Sequence, residues 1–304
     1  KPIKYFINQN FFIFASELKA LLKHPHVPKE VDMTCLNDYL SFQYVPAPKT
    51  GFKYINKFAP AQYAIITEKG LQSITKYWQI NTSQSAQTPA PYLSKQAWED
   101  LIISELKTAV KLRLIADVPL GMHLSGGVDS GLITALAAEQ TNKPLNTFSI
   151  GFDEKEYNEL PYARLISRRY KTNHHEFIVK PDMLEVLPEL AAQMEEPFGD
   201  SSSLASWYLM RETKKQVTVV LSGDGGDENF AGYERYQALQ LFTVLRLIPF
   251  KDLIKNNYKH FGKLATVLSR FDSNPLKYYF NLITYFSQSE KALLHPNFNN
   301  NQSF

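Results

Sequence analysis

Over the first 80 residues the apolar positions come in short runs separated by turn residues. KPIKYF reads as a strand, INQN as a turn and FFIFAS as a second strand. A helix follows around Glu17–Lys23, and another begins near Met33 in MTCLNDYLSF. Tyr63–Thr67 and Gln72–Trp78, joined through Lys69 and Gly70, predict a hairpin. The stretch NTSQSAQTPAPYLSK, residues 81–95, has no periodicity and reads as a linker between a region 1–80 and a region 96–304.

Beyond the linker the period changes. Trp98, Leu101, Ile102, Leu106, Val110 and Leu114 recur at helical spacing and predict a helix over Gln96–Arg113. VPLGMHL then reads as a strand, Gly131–Glu139 as a helix, LNTFSIGF as a strand, Leu160–Tyr170 as a helix and HHEFIV as a strand. Helices at Asp182–Met194 and around Ser203–Lys214 precede a last strand, VTVVL. Strands alternating with helices predict an α/β fold with a doubly wound parallel sheet. Ligands of such sheets bind beyond the carboxyl ends of the strands.

Two loops occupy that position. In LSGGVDS, after the first strand, Ser125, Gly126 and Gly127 leave backbone N–H groups uncovered, and a helix opens near Asp129 and Ser130. The loop and the positive end of that helix make a nest for phosphate oxygens. No Lys follows the last glycine, so the loop is not a Walker A motif. In LSGDGGDE, after the last strand, Ser222 and Gly223 again allow close backbone approach, and Asp224 and Asp227 bring carboxylates. Mg²⁺ on a nucleotide typically takes one or two carboxylates besides phosphate oxygens. Asp129 and Asp227, from separate strand ends, are the candidate pair. Taken alone, the first loop is a common turn and the second a tight acidic turn or weak calcium loop. Together, each after an apolar strand, they point to nucleotide activation. His174 and His175, adjacent on a strand, face opposite ways, which predicts one buried and one solvated ring rather than a metal pair.

Composition sets outer bounds. With 304 residues the chain is long enough for two domains, and 44% hydrophobic with 21% charged residues is ordinary for a water-soluble protein. A net charge of +3 gives no reason to expect nucleic acid or a membrane surface as partner. No apolar run reaches the ~20 residues of a membrane helix, and KPIKYFINQN is not a signal peptide. The single cysteine, Cys35, excludes an intrachain disulfide, fits a reducing, cytoplasmic compartment and is expected to be structural. The start reads as the middle of a hairpin and the Asn-rich end closes nothing, so both ends are expected to be interior to a longer chain.

LSGGVDS resembles the pyrophosphate loop of the N-type ATP pyrophosphatases. RLIADVPLGMHLSGGVDS, TFSIGFDEKEYNELPYARLISRRYKTNHHEF, EEPFGDSSSLASWYL and VVLSGDGGDENFAGYERY are similar to the synthetase domain of glutamine-dependent asparagine synthetases. FASELKALL, YLSFQYVPAP and FKYINKFAPAQYAI resemble the end of that family's glutaminase domain, an α+β N-terminal-nucleophile fold. The resemblance implies an adenine nucleotide alpha hydrolase-like sheet in residues 96–304. It implies that Mg-ATP adenylates the side-chain carboxylate of aspartate and that ammonia from glutamine displaces AMP to give asparagine. Carried over by motif, Ser125, Gly126, Gly127, Asp129 and Ser130 hold pyrophosphate, while Leu124, Ile150, Ser222 and Gly223 contact the adenylate. Asp129 and Asp227 bind Mg²⁺, and Asp224 stands where many members carry a Glu that handles the acyl-adenylate and ammonia. A homodimer is the weak expectation for assembly.

The chain departs from the family pattern in two ways. The nucleophilic N-terminal Cys of the glutaminase has no counterpart, since Cys35 lies in a later helix, and no Lys takes the role of the family's downstream lysine by motif. EEPFGDSSSLASWYL is expected to help form the acceptor pocket, yet it contains no Arg to grip an α-carboxylate; Arg211 lies just beyond it. Two alternatives stay open: an amidotransferase of the same architecture acting on another carboxylate such as a sugar acid, and a nucleotide-binding relative without turnover.

Overall fold

The structure, a computed structural model, describes residues 2–80, 93–153, 158–180, 182–240, 242 and 270–294. The expected linker lies outside them except for residues 93–95. In chain order the elements are β1 (Lys4–Ile7), β2 (Phe12–Ala15), α1 (Leu18–Leu21), α2 (Met33–Phe42), β3 (Ile55–Lys57), β4 (Gln62–Thr67) and β5 (Gly70–Lys76). There follow α3 (Lys95–Arg113), β6 (Leu120–His123), α4 (Val128–Ala138), β7 (Asn146–Phe152), α5 (Leu160–Tyr170), β8 (Asn173–Val179), α6 (Met183–Met194), α7 (Ser202–Thr213) and β9 (Val219–Leu221). The last are α8 (Gly226–Phe230), α9 (Glu234–Gln240), α10 (Pro275–Ile283) and α11 (Gln288–Leu294). They form two compact units, one of Lys1–Ile80, Ala191–Asp200 and Tyr233–Phe304, the other of Asn81–Leu190 and Ser201–Gly232.

In the first unit, β1 pairs antiparallel with both β2 and β3, and β4–β5 is the expected hairpin, with its register shifted between Ile65 and Ile66. Phe6, Leu18, Leu21, Val27 and Ile55 form the core beside these strands. Asp32 caps α2 by accepting from the Thr34 amide at 2.9 Å. On that helix Cys35 is buried, and burial, reinforced by Asp32, Glu196 and Asp38, pushes its thiol up to about 11. That matches the structural role expected of it.

Two acids of QMEEPFGD belong to the same unit. The Glu195 carboxylate accepts from the amides of Leu18 at 2.8 Å and Lys19 at 2.9 Å and pairs with Lys4 Nζ at 3.0 Å. Glu196 accepts from the Gly51 amide at 2.8 Å and pairs with Lys57 Nζ at 2.6 Å. Both carboxylates therefore serve residues 1–80, although the sequence places them at the head of the expected acceptor segment.

In the second unit β6, β7, β8 and β9 form a parallel sheet in the order β8-β7-β6-β9. The order runs outward from β6 to β8 and then returns to the other side of β6, the doubly wound pattern with a switch point between β6 and β9. Consecutive residues Thr147, Phe148 and Ser149 of β7 are all buried, so both faces of the strand are covered. Gly121 leaves room for the Phe148 ring: a β-carbon there would lie 3.3 Å from Phe148 Cδ2 and 3.1 Å from the Asn146 carbonyl.

Met122, Leu136, Ala137, Leu145 and Val110 form the core beside α3 and α4, with Ile103, Leu106 and Leu114 packed on it. The apolar face of α3 thus runs through Ile103, whereas Trp98 and Leu101 are exposed, because the cluster meets only the later turns of the helix. The two histidines of β8 face opposite ways, yet each is half-buried. His174 Nδ1 lies 2.9 Å from Thr147 Oγ1, and His175 stacks on Phe148 at 5.1 Å. Neither ring is fully solvated, because Thr147 and Phe148 of the neighbouring β7 each cover one.

Burial raises the Glu195 carboxyl pKa, but the Lys19 and Leu18 amides and Lys4 outweigh it and hold the group below the ordinary carboxylate range. A carboxylate depressed on folding contributes stability that is present above its unfolded pKa of ~4.3 and is lost as pH falls through the lower folded value. Glu195→Gln is expected to cost about 1–3 kcal/mol at neutral pH, measured by urea unfolding. The difference from the unsubstituted chain should shrink as pH is lowered below that range; a pH-independent difference would locate the effect elsewhere.

Candidate functional site

The carboxyl ends of β6 and β9 are neighbours, with Met122 opposite Leu221. Each strand runs directly into one of the glycine loops, so the loops meet at the switch point. Their contact runs from the backbone of the second loop to the backbone and carboxylate at the start of α4. A β-carbon on Gly223 would lie 2.6 Å from the Ser130 amide nitrogen, and one on Gly226 would lie 2.6 Å from Asp129 Oδ2. Only glycine lets the second loop lie against the first turn of α4 at this separation.

The first loop has its own constraint. Gly126 has φ +93°, a left-handed conformation, and a β-carbon on it would lie 2.8 Å from both the Ala163 amide nitrogen and Tyr162 Cβ at the start of α5. Ser130 is buried and ties the loop together. Its Oγ accepts from the Ser125 amide at 3.2 Å and lies 2.9 Å from Ser125 Oγ. Ser125 Oγ in turn accepts from the Gly127 amide at 3.2 Å, so this amide, expected to be uncovered, is held within the loop. The helix begins at Val128 with Gly127 as its cap, a residue before Asp129 and well before the expected Gly131. The first-turn amides, Asp129's and Ser130's included, have no partner within the helix and carry its positive end.

Leu124 is fully buried; its amide donates to the Phe148 carbonyl at 2.9 Å and its own carbonyl accepts from Ser149 Oγ. Ile150 lies at the same end of the sheet on β7, opposite Phe177. A cavity of about 120 Å³ is lined by Asp129, Ser222, Gly223, Asp224, Gly225, Gly226 and Asn229 on its polar side and by Leu106, Leu132, Ile133 and Phe230 on its apolar side. Asp224 accepts from Ser222 Oγ at 2.7 Å, which fixes the orientation of its carboxylate. Asp129 and Asp224 therefore share one cavity. Asp227 does not line it; its carboxylate lies against Gly232, whose amide donates to the Asp227 carbonyl at 3.0 Å.

One neighbour of the loops was not expected from the sequence. His123, the last residue of β6, approaches the buried Thr213 of α7 at 3.3 Å through Nε2. Burial holds its imidazole below the ordinary range, against the opposing pull of Asp224. The signal in the sequence was a lone polar residue inside the apolar run VPLGMHL. Gly226, which borders the Asp129 carboxylate, was legible only as one more glycine of GDGGDE.

Comparison with known proteins fits this arrangement. Residues 101–300 match the family model for asparagine synthase, and residues 1–78 match that for a glutamine amidotransferase domain. The chain is 35% identical over 255 residues to a putative asparagine synthetase (glutamine-hydrolyzing) 2 of Methanocaldococcus jannaschii, covering 82% of this chain and 48% of that protein. It is 30% identical over 273 residues to asparagine synthetase (glutamine-hydrolyzing) 1 of Bacillus subtilis, covering 88% and 40%. It is 26% identical over 256 residues to amidase chyE of Penicillium rubens, covering 78% and 37%. The chain thus spans about half the length, or less, of these curated relatives. With the family model matched across residues 101–300, over the whole of the sheet and both glycine loops, the chain belongs to the asparagine synthase family.

Proposed function

We propose that the chain carries the synthetase site of a glutamine-dependent asparagine synthetase, an ATP-dependent carbon–nitrogen ligase of the cytoplasm. The observation that carries this reading is the interlock of the loops, Gly223 against the Ser130 amide and Gly226 against the Asp129 carboxylate. It brings the first-turn amides of α4 and two carboxylates, those of Asp129 and Asp224, to one switch point. The proposed domains are a glutaminase-type segment over residues 1–80, a linker over 81–95 and the synthetase over 96–304, assembled as a homodimer.

In this reading Ser125, Gly126, Gly127 and the first-turn amides of α4 receive the pyrophosphate end of ATP. Leu124, Ile150, Ser222 and Gly223 border the adenylate. Asp129 fits a hard divalent cation, since its carboxylate stands at the cavity wall with Gly226 backbone pressed against it. Asp227 joins it once its side chain turns from Gly232. Mg²⁺, when bound there, neutralises phosphate charge and steadies the departing pyrophosphate. The aspartate side-chain carboxylate attacks the α-phosphorus and pyrophosphate leaves. Ammonia then attacks the acyl carbon, AMP leaves, and Asp224, oriented by Ser222, takes the proton lost by the nitrogen.

A second reading has specific support. Arg211, the cation nearest the acceptor segment in sequence, has its guanidinium 4.6 Å from the Trp207 ring centroid and 5.0 Å from that of Tyr208, and it pairs with Glu212 at 3.2 Å. Engaged in this way, it is a poor grip for an α-carboxylate. The alternative is the same chemistry on another carboxylate.

AMP release from Mg-ATP by the purified polypeptide, given ammonia and aspartate without glutamine, separates these readings. Aspartate-dependent AMP supports the first; release with another acid but not with aspartate supports the second; neither, with or without the full-length chain, rejects both. Asp129→Asn is expected to lower the rate by about 100-fold or more with the fold intact by circular dichroism. Gly223→Ala forces a β-carbon onto the Ser130 amide, and a rate loss of about tenfold or more is expected with only a modest fall in Tm. Unchanged rates in both variants would show that the loops do not form the site.

A further inference from the structure

A second cavity belongs to the unit that contains residues 1–80 and 233–304. It holds about 380 Å³ between the C-terminal end of α2 and the pair α10–α11, and none of its lining residues lies in the two glycine loops. Lys291 is a wall residue and only 4% exposed. Its ammonium donates to Ser41 Oγ at 2.8 Å. An ammonium has three donors, and among the described residues Lys291 makes no ion pair. The carboxylate that acts on it is buried Asp38, whose Oδ2 pairs with Lys49 Nζ at 2.7 Å and whose Oδ1 has no hydrogen-bond partner among the described residues. Burial pushes the Lys291 ammonium down from its ordinary range, and Asp38 opposes this only in part. A buried ammonium with unused donors is costly unless an anion meets it.

The hydroxyl protons around the cavity are already committed. Ser41 donates to the Asn37 carbonyl at 3.2 Å, Thr284 to the Phe280 carbonyl at 2.7 Å and Ser287 to Glu290 Oε2 at 2.6 Å. The cationic donors in the wall are the ammonium groups of Lys291 and of Lys277, which lines the same cavity. Phe42, Phe280 and Phe286 supply apolar wall, which suits a carbon skeleton rather than a bare inorganic ion. Asp272, also in the wall, disfavours a dianion such as phosphate and tolerates a ligand amino group. We propose that this cavity is a binding site for a small carboxylate, monoanionic or zwitterionic, held between Lys291 and Lys277. Independent of the nucleotide reading, it stands or falls on binding alone.

The test is thermal unfolding of the purified chain with acetate, glycine or phosphate, against chloride at equal ionic strength. Acetate or glycine at about tenfold excess over Kd is expected to raise Tm by about 2–4 °C beyond chloride. Lys291→Met should abolish the shift, and Lys277→Gln, at an exposed position that leaves folding undisturbed, should weaken binding about tenfold. Should Lys291→Met fail to fold, Lys277→Gln decides. A shift no larger than chloride gives, or one unchanged in the lysine variants, would overturn the site and leave Lys291 as a buried structural partner of Asp38. A larger shift with phosphate than with either carboxylate would overturn the assignment of ligand class.

Discussion

The site rests on the approach of two stretches of backbone, Gly223 to the first turn of α4. A side chain at residue 223 would meet the Ser130 amide, and one at residue 226 would meet the Asp129 carboxylate. The approach is possible because β6 and β9 are adjacent and parallel, so both loops leave the sheet at the same edge and in the same direction. Gly126 holds the first loop in place from the other side, against the start of α5. Three glycines thus replace side-chain packing with close approach of backbone, while Ser125, Ser130 and the Gly127 amide bond to one another within the first loop.

The same constraint explains what the sequence made legible. Strand–helix alternation follows from periodic burial, so the parallel sheet could be read from apolar spacing, whereas the strand order that sets its switch point is seen only in the structure. The glycine loops were legible because glycine is tolerated in such runs only where backbone must come close. What could not be read depends on contacts far apart in sequence. Trp98 and Leu101 keep the helical spacing of α3, yet the core they would meet ends at Ile103. His174 and His175 obey strand alternation, but a count of two faces does not reveal that both are covered. Asp227 lies in the acidic motif, and only the geometry of α8 shows its carboxylate turned toward Gly232 while Asp224 lines the cavity.

Glu195 and Glu196 show the limit most directly. In sequence they head a segment that reads as acceptor pocket. In the structure each carboxylate accepts a backbone amide near the N-terminal strands and pairs with a lysine there. Carboxylates saturated in this way are poor ligands for a substrate, because freeing one would leave half-buried lysine and amide groups unpaired. The acceptor-binding charges must come from other residues, and Arg211 is already stacked on aromatic rings and paired with Glu212.

The electrostatics of the loop cavity bear on the same question. Its lining carries two carboxylates, Asp129 and Asp224, and no lysine or arginine. A nucleotide triphosphate and an acceptor carboxylate would add several negative charges to that place. The N-terminus of α4 offers the equivalent of about half a positive charge, which cannot balance them. In the proposed reading a divalent cation at Asp129 would restore the balance. Asp224 is held in orientation by the Ser222 hydroxyl. The two acids differ in environment, one with the Gly226 backbone pressed against it and the other oriented by the Ser222 hydroxyl.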